Sequence, residues 1–328
     1  MIKLFGSGAG RSLMKNLRKF EQMKYQNVDD ILRDTSAILR SNKNVGLSYK
    51  LSSPLLFELA DPMARFSCNY DIRESVAISA AESLYLLSGM NSKDFIEYFA
   101  SPYKSATEYP DELALGPQLR FLGQSRIKLI DSQVTFNFRQ MAKGYTDQLQ
   151  QVIDIFKKDT SAMDVTIQFS SIKNPLPVYS AWFHYEDSKL EMLVSTGYVD
   201  NASELYCKII APFAFIHQII SELVGIPIGS SRFMIGCLYS SNLSYFNEGI
   251  GKVFPTIKMN DFRYPNGRLT LCDIDALFSI MMQFVDRLSE DTFERANPFE
   301  GDSRVQMWQD YAEIFRSWKA EKLGYKIQ

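Results

Sequence analysis

Cysteine and histidine, which commonly act as nucleophiles and as zinc ligands, are both sparse in this sequence. They are Cys68, Cys207, Cys237, Cys272, His184 and His217. The cysteines are scattered and form no Cys-x-x-Cys pair, the spacing typical of zinc sites and thiol redox motifs. We therefore expect free thiols in a reducing compartment, no metal site and no disulfide framework.

These groups also have structural interpretations. Cys207 and Cys237 are candidates for a thiolate nucleophile, but a buried free cysteine is normally inert packing. His217 lies among apolar residues at helical spacing, so we interpret it as a core histidine.

Composition limits the class of protein. A chain of 328 residues, 46% hydrophobic and 13% aromatic, can bury a large core without disulfides or metals. The formal net charge of −2 and the pI near 5.9 argue against a generally basic nucleic-acid surface, although a local patch is permitted. We find no secretory signal at the N-terminus and no apolar run as long as the roughly 18 residues of a membrane span. A soluble, cytoplasmic protein without membrane contact is expected.

The stretch from Pro177 to Glu248 predicts the elements that position the candidate residues. Two apolar runs, Ala181–Tyr185 and Leu190–Val194, flank a polar tripeptide and predict a β-hairpin. After a mixed, irregular segment, Pro212–Leu223 shows helical spacing, with the proline in the first turn. Arg232–Leu238 predicts a buried strand, and a polar segment follows it.

The rest of the chain alternates helical and strand-like patterns. Helices are predicted within 12–42 and at Ser75–Ser88, Tyr145–Lys158, Ile274–Leu288 and Val305–Tyr325, and strands within Val45–Phe66 and at Val165–Phe169. No internal repeat or linker interrupts this order, so one α/β domain is favoured over two. We assign residues 1–290 to this domain, including an N-terminal helical leader. Residues 291–328 are an amphipathic helical extension that either caps the domain or offers a partner surface.

The order of hairpin, buried helix, strand and polar loop resembles the core of the thymidylate synthase family, which includes the pyrimidine nucleotide hydroxymethylases. Three upstream segments resemble the family in the same order. Leu56–Phe66 resembles its early Phe-Gly-x-x-Met-x-Phe strand, Ala81–Gly89 its Glu-Leu-Leu-Trp-Phe-Leu-x-Gly helix, and Leu115–Pro117 its Leu-Gly-Pro-Val-Tyr-Gly turn. The resemblance spans Ser52 to Phe262. It implies an α/β (α+β) fold in which helices flank a mixed β-sheet around a long buried central helix.

The resemblance also implies a function: family members transfer a one-carbon unit to C5 of a pyrimidine nucleotide and pair through a sheet face as two-fold dimers. Their cysteine nucleophile corresponds here to Val178, or to Pro177 if the register slips, and neither can attack a ring. Their phosphate-binding arginines correspond to residues in Ser161–Asp164 and to Gly197. Losing several charge-assisted contacts, each about 1.5–3 kcal/mol, would remove most affinity for a nucleotide monophosphate.

Other family positions are retained or replaced. Glu82 resembles the family's catalytic glutamate, Asp200 its folate-side aspartate and Tyr245 its ribose-binding tyrosine. Lys208 corresponds to the asparagine that recognises the pyrimidine edge, but a lysine only donates hydrogen bonds. Glu82 could equally make a structural hydrogen bond on a buried helix, Asp200 could be a loop or capping residue, and Tyr245 could pack its ring.

Two hypotheses follow. The first is a non-catalytic pseudoenzyme without a cofactor, a homodimer whose rebuilt cleft binds a nucleotide, a nucleic acid with a stacked base, or a protein partner. The residues predicted to line the cleft are Tyr179, Tyr198, Asp200, Lys208 and Tyr245. The second is an enzyme that modifies a pyrimidine at C5, with Glu82 as general acid/base, Cys237 or Lys208 activating the ring, and a reduced folate as cofactor.

Overall fold

A computed structural model describes residues 23–41, 49–50, 54–67, 73–89, 94–99, 115–120, 146–163, 165–169, 178–200, 204–240, 269–289, 297–301 and 305–323. Within these ranges seven strands form one sheet. They are β1 (Met23–Tyr25), β2 (Tyr49–Lys50), β3 (Leu55–Leu59), β4 (Val165–Gln168), β5 (Val178–Glu186), β6 (Lys189–Asp200) and β7 (Ile228–Ser240).

The sheet is mixed. Its order is β1-β3-β7-β6-β5-β4, and β2 pairs with the end of β7. β1 with β3 and β6 with β7 run parallel, whereas β3–β7, β6–β5 and β5–β4 are antiparallel. Parallel neighbours need a long crossover, usually a helix, and the helical segment between β6 and β7 supplies it. The predicted α/β class, with helices flanking a mixed sheet, is confirmed.

Helices occupy much of the remaining described chain. They are α1 (Val28–Ser41), α2 (Arg73–Ser88), α3 (Asp94–Phe99), α4 (Leu115–Arg120), α5 (Gln148–Lys158), a π-helix (Leu205–Ile210), α6 (Ala211–Val224), α7 (Leu271–Ser289) and α8 (Gln306–Lys322). Asp147 caps α5 by accepting a hydrogen bond from Gln150 N at 3.1 Å. The helices predicted at Ser75–Ser88, Tyr145–Lys158 and Ile274–Leu288 are thus confirmed, with their ends shifted by a few residues.

The predicted hairpin is also confirmed, as β5 and β6. The two residues between the strands, Asp187 and Ser188, have φ values of 49° and 64°. Positive φ at both central positions is the feature of a type I′ turn, whose twist matches that of the strands it joins. The pairing shifts register between Val178 and Ser180, so Tyr179 is a bulged residue.

The segment after the hairpin differs from its prediction. It was expected to be irregular up to a helix beginning at Pro212, but β6 continues to Asp200 and the π-helix begins at Leu205. Pro212 therefore lies inside a continuous helical segment. In a regular α-helix its ring would clash with the carbonyl of Lys208, and the wider π-helical turn immediately before it accommodates the ring.

The predicted long buried helix is α6, in which every residue except Glu222 and Val224 is buried. Gly225 ends the helix with a left-handed φ of 72°. Among the described residues one helical stretch, Leu205–Val224, is long and apolar enough to cross a membrane, but 83% of its most apolar window is buried within the protein. It is consistent with the core helix of a soluble protein.

The two faces of the sheet have different surroundings. Phe57 on β3 stacks on Phe233 of β7 with ring centroids 5.4 Å apart, and both are fully buried on the face that carries α6. Because side chains alternate along a strand, the intervening residues point to the outer face. That outer face contains Met234, which is 42% exposed, and the partly exposed Leu193 and Ser195.

The C-terminal helix α8 packs on the domain. Trp308, Tyr311 and Phe315 are at most 1% exposed. The Tyr311 ring contacts Phe66 and Phe215 at centroid distances of 5.5 and 5.1 Å. This arrangement matches the capping alternative of the sequence analysis.

Some predictions fall outside the described residues. They are the helical leader before residue 23, Pro177, the polar segment after Ser240 that contains Tyr245, and Cys68.

His217 fastens α6 to the sheet. Its Nδ1 lies 2.9 Å from Ser231 Oγ on β7, and its Nε2 lies 2.7 Å from the carbonyl oxygen of Leu190 on β6. Burial lowers the pKa of His217 to about 4, although the bond to Leu190 opposes this shift. The imidazole is therefore neutral at pH 7, as expected of a core histidine.

We predict that this histidine makes the fold acid-sensitive. Its pKa falls from 6.5 to about 4 on folding, so the unfolded chain binds the extra proton between these pH values. Relative to His217→Gln, whose amide can keep both hydrogen bonds, the wild type should lose up to about 1.4 kcal/mol of unfolding free energy per pH unit as the pH falls through this window. Urea unfolding at a series of pH values measures this, and parallel stability curves for the two proteins would contradict it.

Candidate functional site

A polar stripe interrupts the otherwise apolar helix α2. Ser79, Glu82 and Ser83 lie three and four residues apart and therefore on one side of the helix. Both serines are buried and Glu82 is partly buried. Ser83 Oγ donates to the carbonyl oxygen of Ser79 at 2.7 Å, so this serine is satisfied within the helix. Glu82 is left as the ionisable group of the stripe.

The π-helix and the residue before it present an ion pair. Lys208 Nζ donates to Glu204 Oε1 at 3.0 Å, and the two side chains are 17% and 14% exposed. Glutamate four residues before lysine is the favourable orientation of an i,i+4 pair on a helix. Because both groups are largely removed from water, their charges act strongly on their neighbours.

Glu82 is one of those neighbours. Burial raises the pKa of Glu82 to about 7, the nearby Lys208 ammonium opposes the rise, and Glu204 adds to it. The structure thus brings together two residues that the sequence singled out, Glu82 and Lys208, and adds Glu204. Sequence analysis missed Glu204, although its i,i+4 spacing to Lys208 was a usable signal.

This group of three residues, the Glu82 cluster, is suited to proton transfer and to polar recognition. A carboxyl group with a pKa near neutrality can both donate and accept a proton at physiological pH. Lys208 has three N–H donors, one of which is directed at Glu204. The Glu82 and Lys208 side chains retain some exposure to solvent, so the cluster is not sealed within the core.

Tyr206 holds the π-helix in place beside this cluster. Its hydroxyl oxygen accepts from Ser67 N at 3.1 Å and from Ser79 Oγ at 3.2 Å. Ser67 Oγ in turn donates to Asp29 of α1. Burial raises the pKa of the Tyr206 hydroxyl, so it remains protonated. These contacts connect α1, α2 and the π-helix, and they position the backbone that carries Lys208.

Tyr179 and Tyr198, which were predicted to line one cleft, lie on opposite faces of the sheet. A Cβ atom added to Gly197 would lie 2.2 Å from the Tyr179 hydroxyl oxygen, so the Tyr179 ring covers Gly197. Because successive residues of a strand face opposite ways, Tyr198 points to the other side. There it contacts the Tyr239 ring at 6.1 Å.

Cys237 lies opposite Tyr198 in the β6–β7 register and is partly exposed, whereas Cys207 is buried and Cys272 is exposed. Asp200 is the last residue of β6, opposite Tyr239, and its side chain lies outside the described part of the structure, as does Tyr245. No group of three metal-ligating side chains occurs among the described residues.

Comparisons with known proteins do not assign the chain to a family. No protein-family model matches the chain, and no curated protein matches it.

We predict that burial of Glu82 destabilises the fold at high pH. Its pKa rises from 4.5 to about 7 on folding, so the folded chain holds the extra proton between these values. The wild type should therefore lose up to about 1.4 kcal/mol of unfolding free energy per pH unit, relative to Glu82→Gln, as the pH rises from 4.5 to 7. Denaturant unfolding across this range is the measurement.

Glu300→Gln provides the control for this comparison, because the Glu300 side chain is exposed. It should leave the pH profile close to that of the wild type. If Glu82→Gln and wild type differ by a constant amount at every pH, the raised pKa of Glu82 is wrong.

Proposed function

We propose that this chain is a non-catalytic, thymidylate synthase-like protein of the cytoplasm that binds a pyrimidine nucleotide at the Glu82 cluster. The proposal depends on one observation: Lys208 lies close enough to Glu82 to act on its charge, and the pKa of Glu82 is about 7. The two residues come from separate helices and match the family's catalytic glutamate and pyrimidine-recognising asparagine. Their proximity supports the alignment on which the proposal rests.

The cluster is complementary to the edge of a pyrimidine ring. The Lys208 ammonium can donate to a ring carbonyl oxygen. The Glu82 carboxyl group can accept from a ring N–H when ionised, and it can also donate when protonated. An amide edge that pairs a carbonyl with an N–H matches this set of donors and acceptors, whereas a purely apolar ligand would desolvate both groups without adding a hydrogen bond.

Two features of the hairpin argue against the family's covalent step and against its mode of phosphate binding. Val178, which corresponds to the nucleophilic cysteine, is fully buried and carries no reactive atom. Gly197, which corresponds to a phosphate-binding arginine, lies beneath the ring of Tyr179, so a longer side chain there would collide with it. Tyr179 therefore occupies space that an arginine would need.

We predict that a pyrimidine nucleotide binds and that Lys208→Met weakens its binding. Loss of one hydrogen bond from a charged donor, worth about 1.5–3 kcal/mol, corresponds to roughly a 10- to 150-fold increase in Kd. Calorimetric titration with uridine, uridine monophosphate, deoxyuridine monophosphate and cytidine monophosphate measures this, and the nucleoside tests recognition of the ring alone, because the family's phosphate-binding arginines are absent here. Lys157→Met, which removes an exposed lysine of α5, is the matched control and should bind like the wild type.

Two results would count against this function. If none of these nucleotides binds, or if Lys208→Met binds as tightly as the wild type, the ligand site is misplaced.

An enzymatic role is the second candidate, because a carboxyl group with a pKa near 7 is suited to general acid/base catalysis. It is supported if the chain modifies a pyrimidine nucleotide at C5 in the presence of a reduced folate and Cys237→Ser abolishes the product.

We also propose that the chain pairs with a second copy through the outer face of the sheet. At one end of that face, Arg232 lies 3.6 to 3.7 Å from carboxylate oxygens of Glu58, Glu186 and Glu191, and Lys24 pairs with Glu58 at 2.8 Å. A surface that carries both signs of charge beside apolar groups can be self-complementary across a two-fold axis.

We predict that Met234→Asp converts a dimer to a monomer, because it replaces an exposed apolar side chain of this face with a charge that pairing would bury. Light scattering coupled to size exclusion measures the mass. Met163→Asp is the matched control, since Met163 is 69% exposed beyond the end of α5. A wild-type monomer, or a dimer that survives Met234→Asp, would contradict this interface.

A further inference from the structure

Arg65 is a fully buried cation without a carboxylate partner among the described residues. Its side chain is 0% exposed. Its Nη1 donates to the carbonyl oxygen of Pro62 at 3.3 Å, while Nε and Nη2 have no hydrogen-bond partner in the described part of the chain. A buried guanidinium normally has its charge and its donors satisfied, so this arrangement requires an explanation.

Arg120 shows how the same protein satisfies another buried arginine. Its Nε donates to Asp147 at 3.0 Å, its Nη1 to the Leu87 carbonyl oxygen at 2.6 Å, and its Nη2 to Asp275 at 3.2 Å. Arg120 is 3% exposed, so the two guanidinium groups are comparably buried. Unlike Arg120, Arg65 has no carboxylate partner among the described residues, and its Nε and Nη2 make no hydrogen bond there.

The surroundings of Arg65 stabilise its charge but leave Nε and Nη2 without an acceptor among the described residues. Its guanidinium lies over the rings of Phe66, Phe215 and Tyr311, at 5.4, 5.6 and 5.9 Å from their centroids. Ring faces stabilise a positive charge but accept no conventional hydrogen bonds. These three rings therefore explain why the positive charge is tolerated. They do not provide acceptors for the N–H groups of Arg65.

The Tyr311 hydroxyl is a second donor at the same place. It is buried and, within the described residues, makes no hydrogen bond. Burial raises the pKa of Tyr311, although the nearby Arg65 and Ser83 oppose the rise, so the hydroxyl keeps its proton. Arg65 and Tyr311 thus bring N–H and O–H donors together, and among the described residues Nε and Nη2 of Arg65 and the Tyr311 hydroxyl have no acceptor within hydrogen-bond geometry.

We propose that Arg65 and Tyr311 form a binding site for an oxyanion, meaning an inorganic phosphate ion or the phosphate group of a larger ligand. Guanidinium matches the geometry of phosphate oxygens with two parallel N–H donors, and a hydroxyl adds a third bond. Exclusion from water strengthens each of these bonds. The site is formed by different side chains from those of the Glu82 cluster, so it goes beyond the proposed function.

The test is thermal unfolding of the full chain in phosphate and in chloride at equal ionic strength. Samples are equilibrated with the ion first, because the guanidinium is enclosed. We expect phosphate to raise the Tm of the wild type by about 2 °C or more above chloride. The increment should vanish in Arg65→Met, and Tyr311→Phe should weaken the apparent phosphate affinity about tenfold.

Two control variants separate phosphate binding at Arg65 from a general effect of phosphate on stability. Arg316→Met removes a partly exposed guanidinium of α8, and Tyr98→Phe removes a hydroxyl that donates to Leu288 O at 2.9 Å. Both should respond to phosphate like the wild type. If Arg65→Met does not fold, Tyr311→Phe is compared with Tyr98→Phe, because Tyr311→Phe keeps the ring beneath the guanidinium. A weaker phosphate response in Tyr311→Phe alone supports the site, and equal responses in the two variants contradict it.

Uridine monophosphate identifies the source of the oxyanion. If it stabilises the wild type and Lys208→Met but not Arg65→Met, its phosphate binds at Arg65; a response to inorganic phosphate alone assigns the site to the free ion. Equal stabilisation of the wild type by phosphate and chloride, or an unchanged phosphate increment in Arg65→Met, would overturn the proposal. Arg65 would then be a packed cation held by aromatic rings.

Discussion

Desolvation of polar groups packed around α2 and the helical segment from Leu205 to Val224 is the constraint on which this structure depends. Nearly every residue of α6 is buried, so a polar atom near it loses contact with water and is costly unless it finds a partner or changes its protonation state. His217 stays neutral and bonds to both β6 and β7, and Tyr206 connects α1 to α2. The pKa of the Glu82 carboxyl group rises instead, to about 7. The same physical effect thus produces both the rigidity of the core and the chemistry of the site.

The two titrating groups act on stability in opposite directions. Burial lowers the pKa of His217 and raises that of Glu82, so protonation of the first opposes folding and protonation of the second favours it. Between pH 4.5 and 6.5 their contributions partly cancel in the wild type. A flat stability profile of the intact protein in this range would therefore hide two sizeable contributions, which single substitutions separate.

Local patterns predicted much of the fold. The alternation of Ala181–Tyr185 and Leu190–Val194 around a short polar turn predicted the hairpin, because a two-residue type I′ turn is a local feature. The continuation of β6 to Asp200 was not predictable from its own residues. Ser195, Thr196 and Gly197 are polar or small, and they lie in a strand because this part of β6 pairs with β7. The start of the helical segment at Leu205 was also not predicted, because a proline normally lies in the first turn of a helix and Pro212 therefore indicated a later beginning.

The candidate site was predicted in part. Glu82 and Lys208 were chosen through a resemblance, and the structure places them close enough to affect each other's charge. Tyr179 and Tyr198 were expected on one cleft, but the bulge at Tyr179 and strand alternation put them on opposite faces. The Arg65 site had no signal in the sequence. The rings of Phe215 and Tyr311 lie far from Arg65 in the chain, and their packing around its guanidinium is visible only in three dimensions.

The central claim is that burial, moderated by Lys208 and Glu204, holds the Glu82 carboxyl group near half-ionisation at neutral pH. Carbon-detected NMR titration of the Glu82 side-chain carboxyl group measures its pKa directly. The account predicts a value near 7 in the wild type, a higher value in Lys208→Met and a lower one in Glu204→Gln. A pKa near the ordinary 4.5 that neither substitution changes would contradict it.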